Sequence, residues 1–362
     1  MSRFTTLYRG ETDIQFISSR KKWYAASAVL ILICVISFVF RGFDYGIDFK
    51  GGSTFIITGL KNDVSVSEVA DAFDKAGVAS EGSPQKVGTD NTIVVNTKTL
   101  GPKDLQDVQK TVAADLGISA KKNISPKSIG SDWGHDTTIK ALQGLIIFLV
   151  VVSIYIALRF QWRMAVGGMV ALLHDLIIAA GVYSIVGFQV TPSTIVGLLT
   201  ILGFSLYDTV VVYDKVGENA KDILAGSRTT FSEAANKAVN QTLMRSINTS
   251  VIALLPVAGL LFVGAGILGV GTIEDLALIL FVGLLSGAYS SLFLATPVVV
   301  DLTERDPQYK ALTKRVAAKR ASEARKAEEG GLVGVGSSVN VRRGAPAPAP
   351  KVGARPNRRK RT

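Results

Sequence analysis

Six stretches of the chain are predominantly apolar, at residues 23–40, 141–158, 164–187, 193–213, 244–270 and 276–300. A hydrocarbon core ~30 Å thick needs about 20 such residues in a helix, so the pattern predicts six membrane-spanning helices. Most of the runs are interrupted only by Gly, Ser, Thr or a single ionisable residue. The buried helices of a soluble protein do not sustain runs of this length.

Between the first and second runs the pattern changes. Residues 41–140 read as short alternating segments, with strands at 53–58, 84–88, 91–97 and 123–129 and helices at 65–76 and 103–116. Turn signals separate them: Lys61-Asn62-Asp63, Thr89-Asp90-Asn91 and Gly101-Pro102. Ser67 ahead of Asp71, and Pro102 ahead of the second helix, mark helix starts. The order βαββαβ is that of a split-βαβ, ferredoxin-like domain. The expected fold class is a membrane all-α six-helix bundle with a small α+β ferredoxin-like domain outside the membrane.

Two further regions complete the pattern. Residues 214–243 are polar with helical periodicity, which predicts an amphipathic helix pair on the cytoplasmic surface. From Asp301 the chain turns Lys/Arg/Ala/Glu-rich, then Gly-rich, then Ala-Pro repetitive, and disorder is expected beyond about Ala327.

Charge orients the spans. The basic residues Arg3, Arg9, Arg20, Lys21 and Lys22 precede the first run. Arg159 and Arg163 lie between the second and third, and Lys215, Lys221, Arg228, Lys237 and Arg245 between the fourth and fifth. The opposite links hold no charge at 188–192 and only Glu274 and Asp275 before the sixth run. Excess Lys and Arg marks the cytoplasmic side, so both termini are expected there. The net charge of +11 is concentrated: residues 301–362 hold sixteen basic and six acidic side chains, hence +10. Such a tail suits contact with anionic lipid headgroups or ribosomal RNA, or simply fixes topology. The single cysteine, Cys34, lies in the first run and excludes an intramolecular disulfide. No cleavage site of the A-x-A kind follows that run, which therefore reads as an anchor.

The candidate chemistry is inside the membrane. An Asp or Arg at a helix centre costs about 2.5–3.5 kcal/mol, so such residues persist where they work or pair. Asp208 sits within the fourth run, with Thr200, Phe204 and Ser205 near its face. Arg245 opens the fifth run at similar depth. A mobile Asp208–Arg245 pair would be a proton switch, because a nearby cation favours an acid's charged form. His174 and Asp175 lie midway along the third run; adjacent helical residues point about 100° apart, so the two are not expected to serve one site directly. Gly283, Ser286, Gly287 and Ser290 form small-residue faces suited to close helix packing, within the chain or against a partner. The soluble domain holds one histidine, His135, and no Cys, so no metal site or nucleophilic triad is expected there. No Walker A loop, dinucleotide fingerprint, H-E-x-x-H or nucleophile elbow occurs; neither a cofactor nor an enzymatic activity is expected.

Two segments carry a family resemblance. Gly46-Ile47-Asp48-Phe49-Lys50-Gly51-Gly52 follows the first run, and the stretch from Gly203 to Val216, containing Ser205, Asp208 and Thr209, ends the fourth. Together with Leu173-His174-Asp175 and Gln241-Thr242-Leu243-Met244-Arg245-Ser246, they resemble the signature motifs of the SecD/SecF family, distant relatives of the proton-driven RND exporters. The likeness covers most of residues 20–300. The external domain is short, whereas the SecD branch carries a much larger one. The resemblance implies a multi-pass subunit of a bacterial inner (plasma) membrane. It implies a partnership with SecD, the SecY, SecE and SecG channel, SecA and often YajC. Its implied work is to use the proton gradient in late steps of preprotein export. Asp208 and Arg245 match the positions such proteins use for proton transport. Gly217 and the Ser131-Asp132-Trp133-Gly134 connection depart from the family pattern. Two other readings remain open at this point: half of an RND-type exporter of small molecules or lipids, and a passive assembly scaffold.

Overall fold

The structure is a computed structural model that describes residues 14–60, 64–81, 84–87, 91–265 and 274–335. The turns expected at 61–63 and 89–91 fall wholly or partly outside these residues, as do Arg3, Arg9, residues 266–270 and the chain beyond 335.

The polar–apolar alternation of the small domain produces four strands, β2 (Gly52–Ile57), β3 (Gln85–Val87), β4 (Thr92–Thr97) and β5 (Ile124–Ile129). They form one antiparallel sheet in the order β3-β4-β2-β5. Helices α3 (Val66–Lys75) and α4 (Pro102–Asp115) cover one face. This is the split-βαβ arrangement. The inward positions alternate as period 2 requires: Phe55 and Ile57 of β2 and Ile93 and Val95 of β4 are buried against Val69, Phe73, Val108 and Val112. Burying each large apolar side chain is worth about 1.5–3 kcal/mol. Helix α3 is capped by Ser65, not Ser67. Glu68 lies three residues after Ser65, so the two can satisfy each other's backbone donors: Glu68 N–H donates to Ser65 Oγ at 3.2 Å and Ser65 N–H to Glu68 Oε2 at 2.9 Å. Pro102 takes the first helical position of α4, as its spacing suggests.

Among the described residues, six helical stretches are long and apolar enough to cross a membrane: Arg20–Phe40, Asp132–Arg159, Trp162–Val186, Pro192–Ala225, Phe231–Gly264 and Glu274–Glu304. Their main helices are α1 (Arg20–Phe40), α6 (Ser131–Arg159), α7 (Trp162–Val186), α8 (Pro192–Asn219), α9 (Phe231–Ala258) and α10 (Glu274–Ser290). The last continues through a π-helical turn, Ser291–Ala295, into α11 (Thr296–Glu304). Helix α7 is central, with α1 on one side and α8 and α10 on the other; α9 packs on α8 and α10, and α6 lies against α7 and α8. The small residues make close contact within the chain. A Cβ on Gly283 would overlap Ile201 of α8, and one on Gly287 would lie 3.1 Å from Ser205 Cβ.

Three boundaries differ from the sequence expectation. The polar link 214–243 is not a separate helix pair. It is the ends of α8 and α9 joined by a short 3-10 turn, Ile223–Ala225. Nothing in residues 214–219 breaks the helix, and a Thr230–Glu233 capping box starts α9 well before its apolar run. Helix α6 likewise begins at Ser131, inside the segment assigned to the soluble domain. Finally, a helix α12 (Pro307–Val335) extends past Ala327, where disorder was expected. Its first half is anchored: Leu312 and Val316 are buried, and Arg320 donates to both oxygens of Glu233 at 2.7 and 2.9 Å.

Candidate functional site

Among the described residues, the bundle interior holds two buried carboxylates, both bound by serines. Asp175 of α7 is fully buried. Its Oδ2 accepts from Ser205 Oγ of α8 at 2.6 Å and Ser290 Oγ of α10 at 2.7 Å, and its Oδ1 accepts from Ser286 Oγ at 2.6 Å. Asp208 of α8 is 2% exposed. It accepts from Ser246 Oγ of α9 at 2.7 Å and from Ser291 Oγ at 2.5 Å. Thr209, beside it, donates to the Ser205 carbonyl at 2.9 Å, within its own helix.

Local helix geometry explains the arrangement. Ser290 and Ser291 are consecutive, yet each serves a different carboxylate. The helix changes from α to π between them, and single-turn π segments commonly re-aim side chains at functional sites. Ser205 and Asp208 lie three residues apart, on one face of α8. The two acids therefore share one polar layer built from α7, α8, α9 and α10.

The residues singled out from sequence fall into two groups. His174, Asp175, Ser205, Asp208 and Thr209 come together. Arg245 does not join them: it is exposed, and its Nη2 donates to Tyr207 Oη at 3.4 Å. The expected Asp208–Arg245 pair is replaced by Asp208–Ser246. Neighbours on a helix diverge by about 100°, so once Ser246 faces Asp208 its neighbour Arg245 faces away. Among the described residues no cation lies within ion-pair distance of Asp208. The same divergence does not separate His174 from Asp175. The imidazole reaches back across the angle and places Nδ1 3.1 Å from Asp175 Oδ1. The serine ligands were the missed element. Ser286 and Ser290 read as packing residues, and Ser246 and Ser291 carried no signal beyond being hydroxyls inside apolar runs.

The glycine segment forms a separate structure where the bundle meets the small domain. Strand β1 (Asp44–Tyr45) pairs in parallel with β6 (Gln189–Val190), in the link between α7 and α8. Gly46 N–H extends this ladder to the Val190 carbonyl at 2.9 Å. A one-turn helix α2 (Ile47–Lys50) follows, and Gly51 ends it at φ 75° and ψ 171°, a backbone region open essentially only to glycine. Gly52 opens β2; a Cβ there would stand 2.9 Å from the Thr97 carbonyl. Phe49 is half-buried, and Asp48 accepts from Lys127 Nζ at 2.9 Å. Gly134 of α6 lies beneath the turn, where a Cβ would be 2.6 Å from the Phe49 carbonyl oxygen. The unusual 131–134 connection thus has a packing role that its sequence did not disclose.

Taken together, these features define a multi-pass membrane protein with ionisable groups inside its helical bundle and a small α+β domain attached through a glycine-built elbow. The family described as "Protein export membrane protein SecD/SecF, C-terminal" matches residues 108–305, and the "SecD/SecF GG Motif" matches residues 36–58. The chain belongs to the SecD/SecF family of protein-export membrane proteins. It is 46% identical over 322 residues to Protein translocase subunit SecF of Streptomyces coelicolor, covering 89% of this chain and 85% of the relative. It is 39% identical over 388 residues to the SecF of Mycobacterium tuberculosis H37Rv, covering 99% and 86%. The crystal structure of SecDF, a translocon-associated membrane protein from Thermus thermophilus, superposes with a TM-score of 0.73 at 28% identity, over 82% of this chain and 39% of that one. The chain thus spans about two fifths of the length of that SecDF chain.

Proposed function

We propose that this chain is a protein translocase subunit that pairs with SecD and uses the proton gradient to promote late steps of preprotein export. SecY, SecE and SecG supply the channel in this reading, SecA the ATP-driven insertion, and YajC an accessory contact. The chain itself performs no enzymatic chemistry. Both termini face the cytoplasm, the α+β domain lies outside, and basic residues of the tail contact lipid headgroups.

One observation carries the proposal: two buried carboxylates are liganded by neutral hydroxyls. A serine both donates and accepts, so it serves a charged carboxylate and a protonated carboxyl equally well. An arginine in that place would hold the acid as its anion. A proton crossing a 100 mV gradient carries about 2.3 kcal/mol, enough to bias a two-state bundle appreciably. The route to the domain is short. Asp208 rides on α8, which begins directly after β6, and β6 is laddered to the β1 strand that leads into the glycine elbow.

The test is preprotein translocation into inverted vesicles at saturating ATP, with and without an uncoupler. Asp208→Asn keeps size and polarity but cannot release a proton. It is expected to assemble with SecD yet lose the uncoupler-sensitive part of export. Full retention of that part would make Asp208 structural and favour the scaffold reading.

A further inference from the structure

We propose that Pro297 is a positioning residue for the buried carboxylates: it opens the π-helical turn that aims Ser291 at Asp208, and Tyr213 and Gly167 hold that turn in place. This rests on the proton-driven reading above and adds what sets the geometry of its site. Proline carries no N–H, and its ring clashes with the carbonyl four residues earlier. Four residues before Pro297 is Phe293, the middle residue of the turn Ser291–Ala295. Neither Leu292, in π register, nor Phe293, in α register, finds a donor at position 297. No glycine lies between residues 288 and 304, so the proline is the helix breaker nearest the turn.

The widened turn leaves its trace in which side chains face α7. Ser286 and Ser290 bond Asp175. Further along α7, a Cβ on Gly167 would lie 2.9 Å from the Ala295 carbonyl oxygen and 2.6 Å from Val299 Cγ2. The stripe facing α7 is therefore Ser286, Ser290, Ala295 and Val299, with one spacing of five between two spacings of four. An α-helix keeps residues three and four apart on one face, so no unbroken α-helix joins Ser290 to Ala295 in this way. The extra residue leaves Ser291 beside the stripe, where it donates to Asp208 of α8 at 2.5 Å. Tyr213 Oη, fully buried, donates to the Ala295 carbonyl at 3.4 Å and lies 2.7 Å from where a Cβ on Gly167 would stand. Any side chain at position 167 would displace both.

Closing the turn would rearrange the site in a definite way. Val299 and Val300 are buried and anchor the α11 half of the helix. An α-helix advances about 100° per residue, so losing the extra spacing turns the α10 half by about that angle. The stripe through Val299 and Ala295 then continues, four residues at a time, to Ser291 and Gly287. Ser291 leaves Asp208 for the face from which Ser290 now serves Asp175. Asp208 is left with Ser246.

The experiment uses the complete SecD-containing complex. It reads uncoupler-sensitive export into inverted vesicles beside the infrared carbonyl stretch that Asp208→Asn deletes. Pro297→Ala gives the helix back an N–H donor, so thermal stability in detergent is expected to hold. Export is nevertheless expected to fall about tenfold or more, because misplacing a group at a reacting centre by about 1 Å can cost on the order of a hundredfold. The Asp208 stretch is expected to shift in frequency to where Ser291→Ala places it. Tyr213→Phe, which removes the contact with Ala295, is expected to move the same stretch in the same direction by less. Full export in Pro297→Ala, beside an Asp208→Asn control that has lost it, would overturn the positioning role and leave the parent reading standing. A fall in export with the Asp208 stretch unmoved marks a packing role and overturns it too. Should Pro297→Ala fail to assemble, Tyr213→Phe decides, and an unmoved stretch there overturns the proposal. Full export or an undiminished stretch in Asp208→Asn removes the parent reading, and the positioning role with it.

Discussion

The interior of the α+β domain and the interior of the helical bundle are opposites. The domain core is mainly apolar, built on Phe55, Ile57, Val69, Phe73, Ile93 and Val95. Part of the bundle interior is a polar layer: Asp175, Asp208, His174, Ser205, Ser246, Ser286, Ser290 and Ser291. The bundle turns large apolar residues outward, with Leu158 84% and Ile252 71% exposed. The difference follows from the solvent. In water the domain gains by hiding apolar area. In lipid, helix surfaces gain nothing by hiding Leu, so the interior is free for small residues and satisfied polar groups. The domain interior does one thing, which is to hold the domain together. In the function proposed above, the bundle interior also holds and moves a proton.

Mutations test the contrast by magnitude. The largest effect is expected at Phe73, whose ring is fully buried and packs edge-on to Phe55 at 5.1 Å. Phe73→Ala should cost the domain about 3–5 kcal/mol, read as faster hydrogen exchange in β2 and β4 with the bundle unaffected. Exchange rising equally in the bundle would show that the two interiors unfold together. An intermediate effect is expected at the elbow. Gly51→Val forces a side chain into a glycine-only conformation at about 1–3 kcal/mol. Membrane insertion should be intact while secretion is impaired; normal secretion would reduce the elbow to an ordinary strand-start turn. The smallest effect on stability is expected in the polar layer. Hydrogen bonds between membrane helices average about 0.6 kcal/mol, so Ser291→Ala should barely shift denaturation in detergent. Its uncoupler-sensitive export should nevertheless fall. A reversed outcome, with stability lost and export kept, would make the serine layer a packing device like the domain core.

Much of this was legible in the sequence because solvent writes it there. The lengths of the apolar runs marked six spans, and the period-2 segments marked the four strands. The site was legible only in part. Asp175, His174 and Asp208 stood out because an ionisable residue is conspicuous in an apolar run. Their ligands did not, since a serine in a helix reads equally as packing or as a hydrogen-bond donor. The Arg245 pairing was misjudged because depth along two helices says nothing about rotation around them, and rotation gave the place to Ser246. The contact of Gly134 with the elbow, and the ladder of β1 on β6, join residues far apart in sequence through backbone alone, which leaves no side-chain pattern to read.

In the proposed function, Asp208 takes up and releases a proton inside the bundle. The most direct measurement is infrared difference spectroscopy of the lipid-reconstituted complex with SecD across a pH titration. The carbonyl stretch of a protonated carboxylic acid should grow as pH falls, and Asp208→Asn should delete one component of it while an Asp115→Asn control on the domain surface leaves that component in place. A protonated-carboxyl signal identical in wild type and Asp208→Asn at every pH would mean that Asp208 carries no exchangeable proton in the bundle.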